Sequence, residues 1–559
     1  MKRVLRMSPL VIALTLVCSV VAGPMSTMPS GTVSVHILAV NDFHGHLVGP
    51  SGTITEPDGR NIPAGGVDYL SAHIQALRAQ NPHTVVVSAG DLIGASPLIS
   101  ALFHDEPTIE AFNVIGLDYN AVGNHEFDEG AAELLRMQHG GCHPVDGCRD
   151  GDGFAGATFQ FLAANVVRHD TPTTLFAAYQ VRSFAGAKVA FIGMTLKGTP
   201  TIVTPSGVAG LTFRDEAETV NALVPQLKAQ GIETIVVLIH EGGFPTGTYN
   251  ECPGLSGAIV AIVHRFDPAV DVVISGHTHQ AYNCHLNGML VTSASSFGRV
   301  VTDVDLTIDR ATGDVVRMRA NNLIVTRDVP PDTRLTALVD KYQTLVAPLA
   351  NRVIGSITAD HTRDPTPAGE SALGDVIADS QWAATADPAF GGAVVALMNP
   401  GGIRAELAYA QSGSEGDGHV TYGEAFTVQP FGNSLVTMTL TGAQLKTVLE
   451  QQFQGCGAQN RNRILQVSAG LTYAWSLSAP ACGKVDLASI KIKGMAIEPH
   501  ATYRVTVNSF LANGGDHFLA LQEGVDRLGG AQDLDAFEAY FRTHSPVAPG
   551  PQNRVTAVP

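Results

Sequence analysis

Residues 33–46 read VSVHILAVNDFHGH, an apolar run that passes directly into residues with metal-binding side chains. Short runs rich in valine and isoleucine favour buried strands. The same theme recurs in the first half of the chain, at 84–88 before Gly90-Asp91, 119–122 before Gly123-Asn124-His125-Glu126, 235–239 before His240-Glu241 and 270–274 before Gly276-His277-Thr278-His279. Helical patterns such as 68–80 and 216–230 lie between these runs. Strands that alternate with helices predict a layered α/β core.

Polar side chains collect where these predicted strands end, and ligand sites of α/β folds lie beyond strand ends. A lone histidine in a strand is more often structural, so the argument rests on the whole set. Imidazole, carboxylate and amide oxygen together suit two first-row divalent ions. Two such ions polarise a phosphate and activate a water molecule. The candidate residues are Asp42, His44, Asp91, Asn124, His125, His240, His277 and His279.

The second half begins after Pro330-Pro331. Residues 332–352 read as an amphipathic connector helix. The residues expected on its apolar side are Leu335, Leu338, Val339, Tyr342 and Leu345. A helix at 373–384 and strands at 394–398, 436–440 and 503–507 predict a further α/β domain, followed by a proline-rich loose tail.

Glycine-rich and aromatic segments of the second half are candidates for binding a substrate. Glycines allow close approach of the backbone, and an arginine holds phosphate through two hydrogen bonds. Phenyl rings stack on bases, and a carboxylate accepts hydrogen bonds from ribose hydroxyls. Taken alone, each phenylalanine is more often a core residue. The candidates are Asn399, Gly401, Gly402, Arg404, Phe431, Gly432, Phe510 and Asp516.

The first half resembles the calcineurin-like metallophosphoesterase family in the stretches NDFHGH (41–46), GDLIGASP (90–97), GNHEFD (123–128), VVLIH (236–240) and GHTH (276–279). The resemblance implies that one metal is held by Asp42, His44, Asp91 and His279, and the other by Asp91, Asn124, His240 and His277. It also implies a catalytic pair of His125 and Asp128. The three-residue spacing of this pair permits contact within one helical turn, although Asp128 could instead cap a helix.

The second half resembles the C-terminal domain of the 5′-nucleotidase family in the stretches ESALGDVIAD (370–379), NPGGIR (399–404), TYGEAFTVQPFGN (421–433), LQVSAGLTY (465–473) and SFLANGGDHF (509–518). It implies that Phe431 and Phe510 stack the base and Asp516 binds ribose. Asn399 and Arg404 would lie near the phosphate. The sequence departs from the family in having fewer arginines; Arg363 is the nearest before Glu370. This leaves the strength and position of phosphate binding open.

The expected organisation is a signal peptide (1–22), a metallophosphoesterase domain (33–328), a connector helix (329–352), a substrate-binding domain (353–545) and a tail (546–559). The N-terminus has a basic start and a short apolar run, which is typical of an export signal. Lipid anchoring at Cys18 and an uncleaved anchor are the alternatives. No later stretch is apolar and long enough to span a bilayer.

Six cysteines remain after residue 22, and an even set in an exported chain favours disulfides. Pairing of nearest neighbours in sequence predicts Cys142–Cys148, Cys252–Cys284 and Cys456–Cys482. The net charge of −17 argues against nucleic-acid binding. We therefore expect a secreted, periplasmic or envelope protein that acts on small nucleotides.

These observations predict a metal-dependent 5′-nucleotidase that hydrolyses nucleoside 5′-monophosphates, with two divalent ions such as zinc or manganese. The nearest alternatives share the metal half: a 2′,3′-cyclic-nucleotide phosphodiesterase with 3′-nucleotidase activity, or a nucleotide-sugar diphosphatase. Cyclic-nucleotide relatives tend to use tyrosine in the base clamp, so Phe431 and Phe510 favour the 5′ interpretation. A non-catalytic nucleotide-binding surface protein and a general phosphate-ester hydrolase are the other hypotheses. Base preference, metal identity and oligomeric state stay open.

Overall fold

The computed structural model describes residues 31–50, 52–203 and 205–559. The predicted signal peptide at 1–22 lies outside these residues. The first half forms two six-stranded sheets that face each other. The first sheet contains, in spatial order, Val315–Ile324, Val300–Asp309, Thr32–Val40, Thr84–Ser88, Tyr119–Ala121 and Gln160–Leu162. The second contains Ala281–Leu286, Met289–Ala294, Val272–Ser275, Thr234–His240, Ala187–Thr195 and Tyr179–Phe184.

Strand direction explains why the polar loops meet at one edge of this sandwich. In the first sheet, Thr32–Val40 runs parallel to Thr84–Ser88, which runs parallel to Tyr119–Ala121. In the second sheet, Thr234–His240 runs parallel to Val272–Ser275. Carboxyl ends of parallel strands lie at the same edge, which is where α/β folds bind ligands. The five predicted strands therefore deliver their polar residues to a common region.

Branched apolar side chains fill the space between the two sheets. Val35, Ile37, Val87, Val236 and Ile274 belong to this central core, and all are almost completely buried. Helices cover the outer faces of the sandwich, and each buries one apolar side. They are Val67–Arg78, Leu98–Ala101, Glu106–Ile115, Ala131–His139, Glu216–Ala229 and Ala258–Arg265. Two small antiparallel pairs, Thr53–Thr55 with Asn61–Pro63 and Val166–Arg168 with Leu211–Phe213, complete this half.

The connector helix spans Thr333–Ala350, and the Asp332 carboxylate caps it by accepting a hydrogen bond from the Arg334 N–H group. Leu335, Tyr342 and Val346 bury against the core of the first half. The expectation that Leu345 lies on the same side is wrong, because 42% of this residue is exposed. The buried side continues from Tyr342 to Val346 instead. Residues three and four positions apart both lie on one face of a helix, and here the four-residue spacing is the one that is buried.

The second half is built around a five-stranded mixed sheet that contains, in order, Gln466–Val467, Val395–Met398, Thr502–Asn508, Ser434–Thr441 and Val525–Gln532. Smaller sheets pair Val353–Ser356 with His419–Thr421 and combine Met495–Ala496, Lys491–Ile492, Leu471–Ser476 and Val555–Val558. The α-helices are Ala372–Thr385, Tyr422–Val428, Gly442–Glu450, Ser509–Ala512 and Asp533–His544. The predicted mixed α/β class is thus confirmed in both halves.

The prediction of a loose tail at 546–559 is wrong. Val555–Val558 runs parallel to Leu471–Ser476 as an edge strand of the small four-stranded sheet. The Arg554 guanidinium donates hydrogen bonds of 2.9 and 2.8 Å to the two carboxylate oxygens of Asp379. The Arg554 backbone N–H group also contacts the buried carboxylate of Glu370. A strand partner and an ion pair therefore fix a segment whose proline content predicts a loop.

All three predicted disulfides are present: Cys142–Cys148, Cys252–Cys284 and Cys456–Cys482. The first closes a short loop, and Asp150 just after it contacts Lys341 of the connector helix. The second joins the segment before Ala258–Arg265 to a sheet strand, and the third lies in the second half. Among the described helices, none combines the length and the hydropathy that crossing a bilayer requires.

Candidate metal centre

Two groups of potential metal ligands lie side by side where the strands end. Asp42, His44 and His279 form one group, and Asp91, His240 and His277 form the other. Within each group the ligand atoms lie within 4.8 Å of one another. The groups are adjacent, because His44 Nε2 lies 3.7 Å from Asp91 Oδ2. The structure thus brings together the residues that the sequence motifs single out, in a geometry suited to two ions that share Asp91.

The backbone at these positions adopts an unusual conformation. The left-handed region is rare for residues other than glycine and costs roughly 1–3 kcal/mol per residue. Such outliers cluster at functional sites, where the surrounding fold holds them in place. Five of the candidate ligands have positive φ angles: Asp42 (50°), His44 (47°), Asp91 (49°), His277 (70°) and His279 (56°).

Fixed hydrogen bonds orient the ligand side chains. The Nδ1 atoms of His44 and His240 lie 2.8 Å from the carbonyl oxygens of Gly94 and Ala89, respectively. A Nδ1–H bond to a carbonyl leaves the Nε2 lone pair free for a metal ion, which is the usual arrangement around metal-bound histidine. Asn41, directly before Asp42, donates from its side-chain amide to an oxygen of the Asp42 carboxylate. The set is therefore preorganised for coordination.

Charge and burial strongly perturb the ionisation of this centre. Burial alone favours the neutral form of Asp91, but the nearby imidazoles of His240 and His125 outweigh it and hold the pKa of Asp91 well below its usual range. Burial likewise disfavours protonated His240, yet the Asp91 carboxylate raises the pKa of His240 to about 10. Asp91 thus carries the negative charge that the surrounding imidazoles face.

Unsatisfied buried atoms show that a metal ion fits. Asn124 Oδ1 is buried without a hydrogen-bond partner. His240 Nε2 is buried 2.8 Å from Asp91 Oδ2 and has no hydrogen-bond partner of proper geometry. Buried polar atoms rarely lack partners, and amide oxygen and imidazole nitrogen are both ligands that first-row divalent ions accept. The residues present therefore fit a pair of divalent ions.

His125 and Asp128 form the contact that their spacing predicts. His125 opens a short 3-10 helix, His125–Phe127, and its Nδ1 lies 2.8 Å from Asp128 Oδ2. Burial disfavours the imidazolium, but the carboxylates of Asp128 and Asp91 outweigh it and raise the pKa of His125. Asp128 is also held by the N–H group of Ala95. The pair is arranged to keep His125 oriented and protonated; its catalytic role stays a proposal.

Glu126 belongs to the GNHEFD stretch but is not among the predicted site residues. Its buried carboxylate accepts hydrogen bonds from the backbone N–H groups of Asp91, Leu92 and Gly123. It thereby ties the two loops that carry Asp91 and Asn124 to each other. A Cβ atom at Gly123 would collide with Asp91 Oδ1, which explains why glycine precedes Asn124.

The second half contributes side chains to the metal centre itself. The Phe431 ring stacks on the His125 ring, with centroids 5.7 Å apart and planes 17° from parallel. The Arg404 guanidinium carbon lies 5.7 Å from the centroid of the Phe431 ring. Burial is the main cause of the lowered pKa of His44, and the positive charge of the nearby Arg404 guanidinium lowers this pKa further. The predicted substrate residues Phe431 and Arg404 therefore border the metal centre.

The other predicted substrate residues form a polar cluster in the second half. The Asn399 amide donates a 3.0 Å hydrogen bond to Asp516, whose other oxygen lies 3.1 Å from Arg463 Nε. The Phe510 ring lies over Gly515, next to Asp516 in sequence. Gly401 faces Asn399 and Asp516 without crowding, Gly402 is buried against Met398, and Gly432 is exposed with open space around it.

Two arginines that the sequence analysis did not select also belong to this region. Arg463 forms an ion pair with Asp516. Burial and the nearby His240 are the main causes of the lowered pKa of His277, and the positive charge of Arg461 lowers this pKa further. Both lie just before the LQVSAGLTY stretch, in the segment Arg461-Asn462-Arg463. Two arginines this close together in the sequence could have indicated a site for an anionic group. These residues supply positive charge that the predicted phosphate motifs lack.

Comparisons with known proteins identify the class to which this fold and site belong. Residues 35–281 match the calcineurin-like phosphoesterase family, and residues 353–523 match the C-terminal domain of 5′-nucleotidases. The chain is 32% identical over 548 residues to the cell wall protein Lmo0130 of Listeria monocytogenes, which covers 93% of this chain and 68% of that protein. The chain therefore belongs to the 5′-nucleotidase family, which confirms the resemblance seen in its motifs.

Further relatives agree with this assignment. A 5′-nucleotidase precursor from Thermus thermophilus has a similar structure, with a TM-score of 0.76, 29% identity and coverage of 94% of this chain and 99% of that chain. The endonuclease YhcR of Bacillus subtilis is 31% identical over 540 residues, which are 95% of this chain but 41% of that protein. The chain thus spans less than half of the length of YhcR.

Proposed function

We propose that the chain is an exported, metal-dependent 5′-nucleotidase that hydrolyses nucleoside 5′-monophosphates to nucleoside and phosphate. The observation that carries this proposal is the stacking of Phe431 on His125. It places an aromatic surface of the second half directly against the metal centre of the first half. A nucleotide has the matching chemistry, because its base stacks on an aromatic ring while its phosphate seeks cations.

The metal ligands of the proposal are Asp42, His44, Asp91, Asn124, His240, His277 and His279. Two divalent ions bound there would polarise the phosphate and lower the pKa of a water molecule. His125 shares Nδ1–H with Asp128, which leaves Nε2–H to donate a hydrogen bond to the phosphoryl group or the leaving oxygen. Arg404 adds a fixed positive charge beside the same centre. Zinc and manganese both suit these ligands.

Residues of the second half would select the nucleoside. Phe431 and Phe510 are the proposed stacking surfaces for the base, a contact worth about 1–3 kcal/mol. Asn399 and Asp516 would hold polar groups of the substrate, since Asp516 is buried, fixed by Arg463 and keeps unused lone pairs. Gly401 and Gly432 leave room for a ligand to approach the backbone.

Export is proposed from two features. The basic and apolar N-terminus reads as a signal peptide, and all six cysteines that follow it pair into disulfides. Disulfides persist in oxidising compartments such as the periplasm or the cell exterior. The relative Lmo0130 is named a cell wall protein, which agrees with an envelope location. Detection of the mature chain after Ala22 in the periplasm or medium is the direct test.

A second candidate function is hydrolysis of phosphodiesters, including cyclic nucleotides. It is favoured by the names of two relatives: YhcR is called an endonuclease, and YfkN of Bacillus subtilis a trifunctional nucleotide phosphoesterase. The net charge of −17 disfavours polynucleotide substrates, since these bind to basic surfaces. The two phenylalanines favour the 5′-monophosphate over a cyclic substrate.

The deciding experiment measures turnover of AMP, 3′-AMP, 2′,3′-cyclic AMP, ADP, UDP-glucose, a short DNA oligonucleotide and p-nitrophenyl phosphate. Each substrate is assayed as purified, after chelation, and after return of Zn²⁺ or Mn²⁺. We expect chelator-sensitive turnover with AMP preferred. Preference for the cyclic, 3′ or oligonucleotide substrate would replace the proposal with the second candidate. No turnover of any substrate would favour a nucleotide-binding protein without catalysis.

A further inference from the structure

We propose that the chain binds a third divalent metal ion outside the dinuclear centre, at His104, Glu129, Glu133 and His143. One ligand atom from each of these four residues lies within 4.8 Å of the others. This is the same limit that the two groups of the dinuclear centre meet. We call these four residues the auxiliary cluster. Nothing in the proposed nucleotidase chemistry uses them.

The auxiliary cluster draws on three separate parts of the chain. His104 precedes the helix Glu106–Ile115, Glu129 and Glu133 flank the start of the helix Ala131–His139, and His143 lies in the loop closed by Cys142–Cys148. His104 and His143 stack, with ring centroids 3.9 Å apart and planes 13° from parallel. The imidazoles are therefore held side by side by tertiary structure rather than by local sequence. Because a metal ion binds in the plane of an imidazole, one of these rings must turn for both histidines to bind the same ion.

Each ring nitrogen of His104 faces a carboxylate. Its Nδ1 lies 2.7 Å from Glu129 Oε2, inside the cluster, and its Nε2 lies 2.9 Å from Asp146 Oδ2. With Nδ1 facing the ion, Nε2–H donates to Asp146, which gives the carboxylate–histidine–metal arrangement of many natural sites. The separation of Nδ1 and Glu129 Oε2 is close to the 2.8 Å between His240 Nε2 and Asp91 Oδ2 in the dinuclear centre.

The local charge balance leaves room for a dication. Arg136 pairs with Glu133 and Glu106, and Arg149 pairs with Asp146. Adding Glu129, four carboxylates face two guanidinium groups, which leaves two negative charges when both histidines are neutral. A carboxylate has about four lone-pair sites, so Glu133 can keep its contacts with Arg136 and still bind an ion. One divalent cation would neutralise the remaining charge.

The ligand types point to a transition metal. Two imidazoles and two carboxylates suit zinc and its neighbours, whereas calcium and magnesium prefer oxygen ligands alone. Four ligands from the protein complete the tetrahedral set that is typical of structural zinc. The auxiliary cluster is therefore assigned to a structural ion, with Zn²⁺ as the metal to test first.

The cluster lies one residue from positions that hold the dinuclear centre. Asp105, next to His104, accepts a hydrogen bond from the Gly94 N–H group, and the Gly94 carbonyl contacts His44. Glu129 directly follows Asp128, the partner of His125. An ion in the auxiliary cluster would fix both segments from outside. We therefore expect its loss to lower stability while the ligands of the dinuclear centre keep their geometry.

Metal stoichiometry is the test. The full mature chain is stripped with chelator, reloaded with Zn²⁺, desalted, and measured by native mass spectrometry and elemental analysis. We expect three ions in the wild type and two in His143→Ala. His139→Ala, which removes an exposed histidine from the neighbouring helix end, should keep three. The kcat/KM of His143→Ala for AMP should stay within about two-fold of the wild type, with a lower thermal midpoint in Zn²⁺.

A variant of the dinuclear centre separates this site from the proposed catalytic one. Asp91→Ala should retain one ion, and the double variant Asp91→Ala/His143→Ala should retain none. If His143→Ala does not fold, judged by circular dichroism, Glu129→Gln replaces it in both backgrounds. The proposal is overturned if the auxiliary-cluster substitution leaves the number of bound ions unchanged, in either the wild-type or the Asp91→Ala background. His104 would then serve only to form ion pairs with Glu129 and Asp146.

Discussion

Several metal ligands of the first half and the proposed base-stacking residues of the second half differ in how far they are exposed. In the first half, the candidate ligands Asp42, His44, Asp91 and His240 are at most 1% exposed, and several hold strained backbone conformations. In the second half, the predicted substrate residues Phe431 and Phe510 are half-buried, and Gly432 is exposed. The difference sets a buried set of candidate metal ligands against a more accessible aromatic surface that is proposed to contact the substrate.

The buried charges of the two halves also differ in how they are balanced. In the metal centre, Asp42 and Asp91 converge with histidines on positions that cations would occupy. In the second half, Asp516 is balanced by Arg463, but Asp533 is buried with only amide groups opposing the rise of its pKa. Removal of a charge should therefore have different consequences in each half.

Asp91→Ala should have the largest effect on activity. Asp91 lies between the two ligand groups, 2.8 Å from His240 and 3.7 Å from His44. Loss of a carboxylate shared by both ions should remove the several kcal/mol that metal ions contribute to the transition state, which corresponds to roughly 10³-fold or more in kcat/KM. Elemental analysis and AMP hydrolysis, measured on the same samples, check it. Full metal content with near-normal turnover would contradict the shared ligand.

His125→Ala should reduce kcat strongly and leave the metal ions in place. Loss of a proton donor costs roughly 10²–10⁴-fold. The matched variant Asp128→Asn keeps the imidazole but removes the carboxylate that orients it, so its loss should be smaller, roughly 10–100-fold. Turnover and metal content are measured for both variants. A fall in metal content parallel to the fall in activity would mean that His125 is a ligand and not a donor.

Phe510→Ala should act on nucleotides alone. Loss of one stacking contact of about 1–3 kcal/mol lowers kcat/KM for AMP by roughly 5- to 150-fold. Hydrolysis of p-nitrophenyl phosphate, which has no base, should change less than about two-fold. Phe390→Ala is the matched control, because that phenylalanine is 63% exposed on the same half. Equal losses on both substrates would show that Phe510 supports the fold rather than the base.

Phe431→Ala should differ from Phe510→Ala in one respect. Its ring also packs on His125, so its removal should affect both AMP and p-nitrophenyl phosphate, with the larger loss for AMP. The ratio of the two losses therefore measures how much of its effect passes through the base and how much through His125. An effect on AMP alone would indicate that the contact with His125 does not assist turnover.

The metal half was largely predictable from sequence, for a physical reason. The ligands lie at or shortly after the carboxyl ends of short strands, most of which are rich in valine and isoleucine, and parallel strands bring these ends to one edge of a sheet. The predicted strand 84–88 coincides with the observed Thr84–Ser88. The role of Glu126 escaped prediction because it bonds to backbone groups of other loops, and the left-handed conformation of Asp91 depends on tertiary contacts.

The second half was less predictable because its contacts join distant segments. Val555–Val558 pairs with Leu471–Ser476, about eighty residues earlier, and no local signal announces a partner at that distance. The proline-rich composition around it indicated a tail instead. Arg463 was missed for the same reason, since its partner Asp516 lies in another loop. Local pattern predicts elements well, whereas the partners of charged side chains require the fold.

Asp533→Asn should reveal the uncompensated buried charge of the second half. Burial raises the pKa of Asp533 to about 7, while the Leu534 and Asn433 amides oppose the rise only in part. The pKa in the unfolded chain is near 3.8, so the folded state holds the proton more tightly. Its contribution to stability is then present below about pH 4 and is lost as pH rises towards 7, with an upper limit of roughly 4 kcal/mol.

The expected result is a difference between two melting curves recorded from pH 5 to 8. The wild type should lose several degrees relative to Asp533→Asn across this range, because the neutral amide has no charge to bury. Added Zn²⁺ should leave this difference unchanged, since Asp533 belongs to the half without metal ligands. A constant offset at every pH would mean that Asp533 stays ionised in the fold, and that the second half balances its buried charges as fully as the metal centre does.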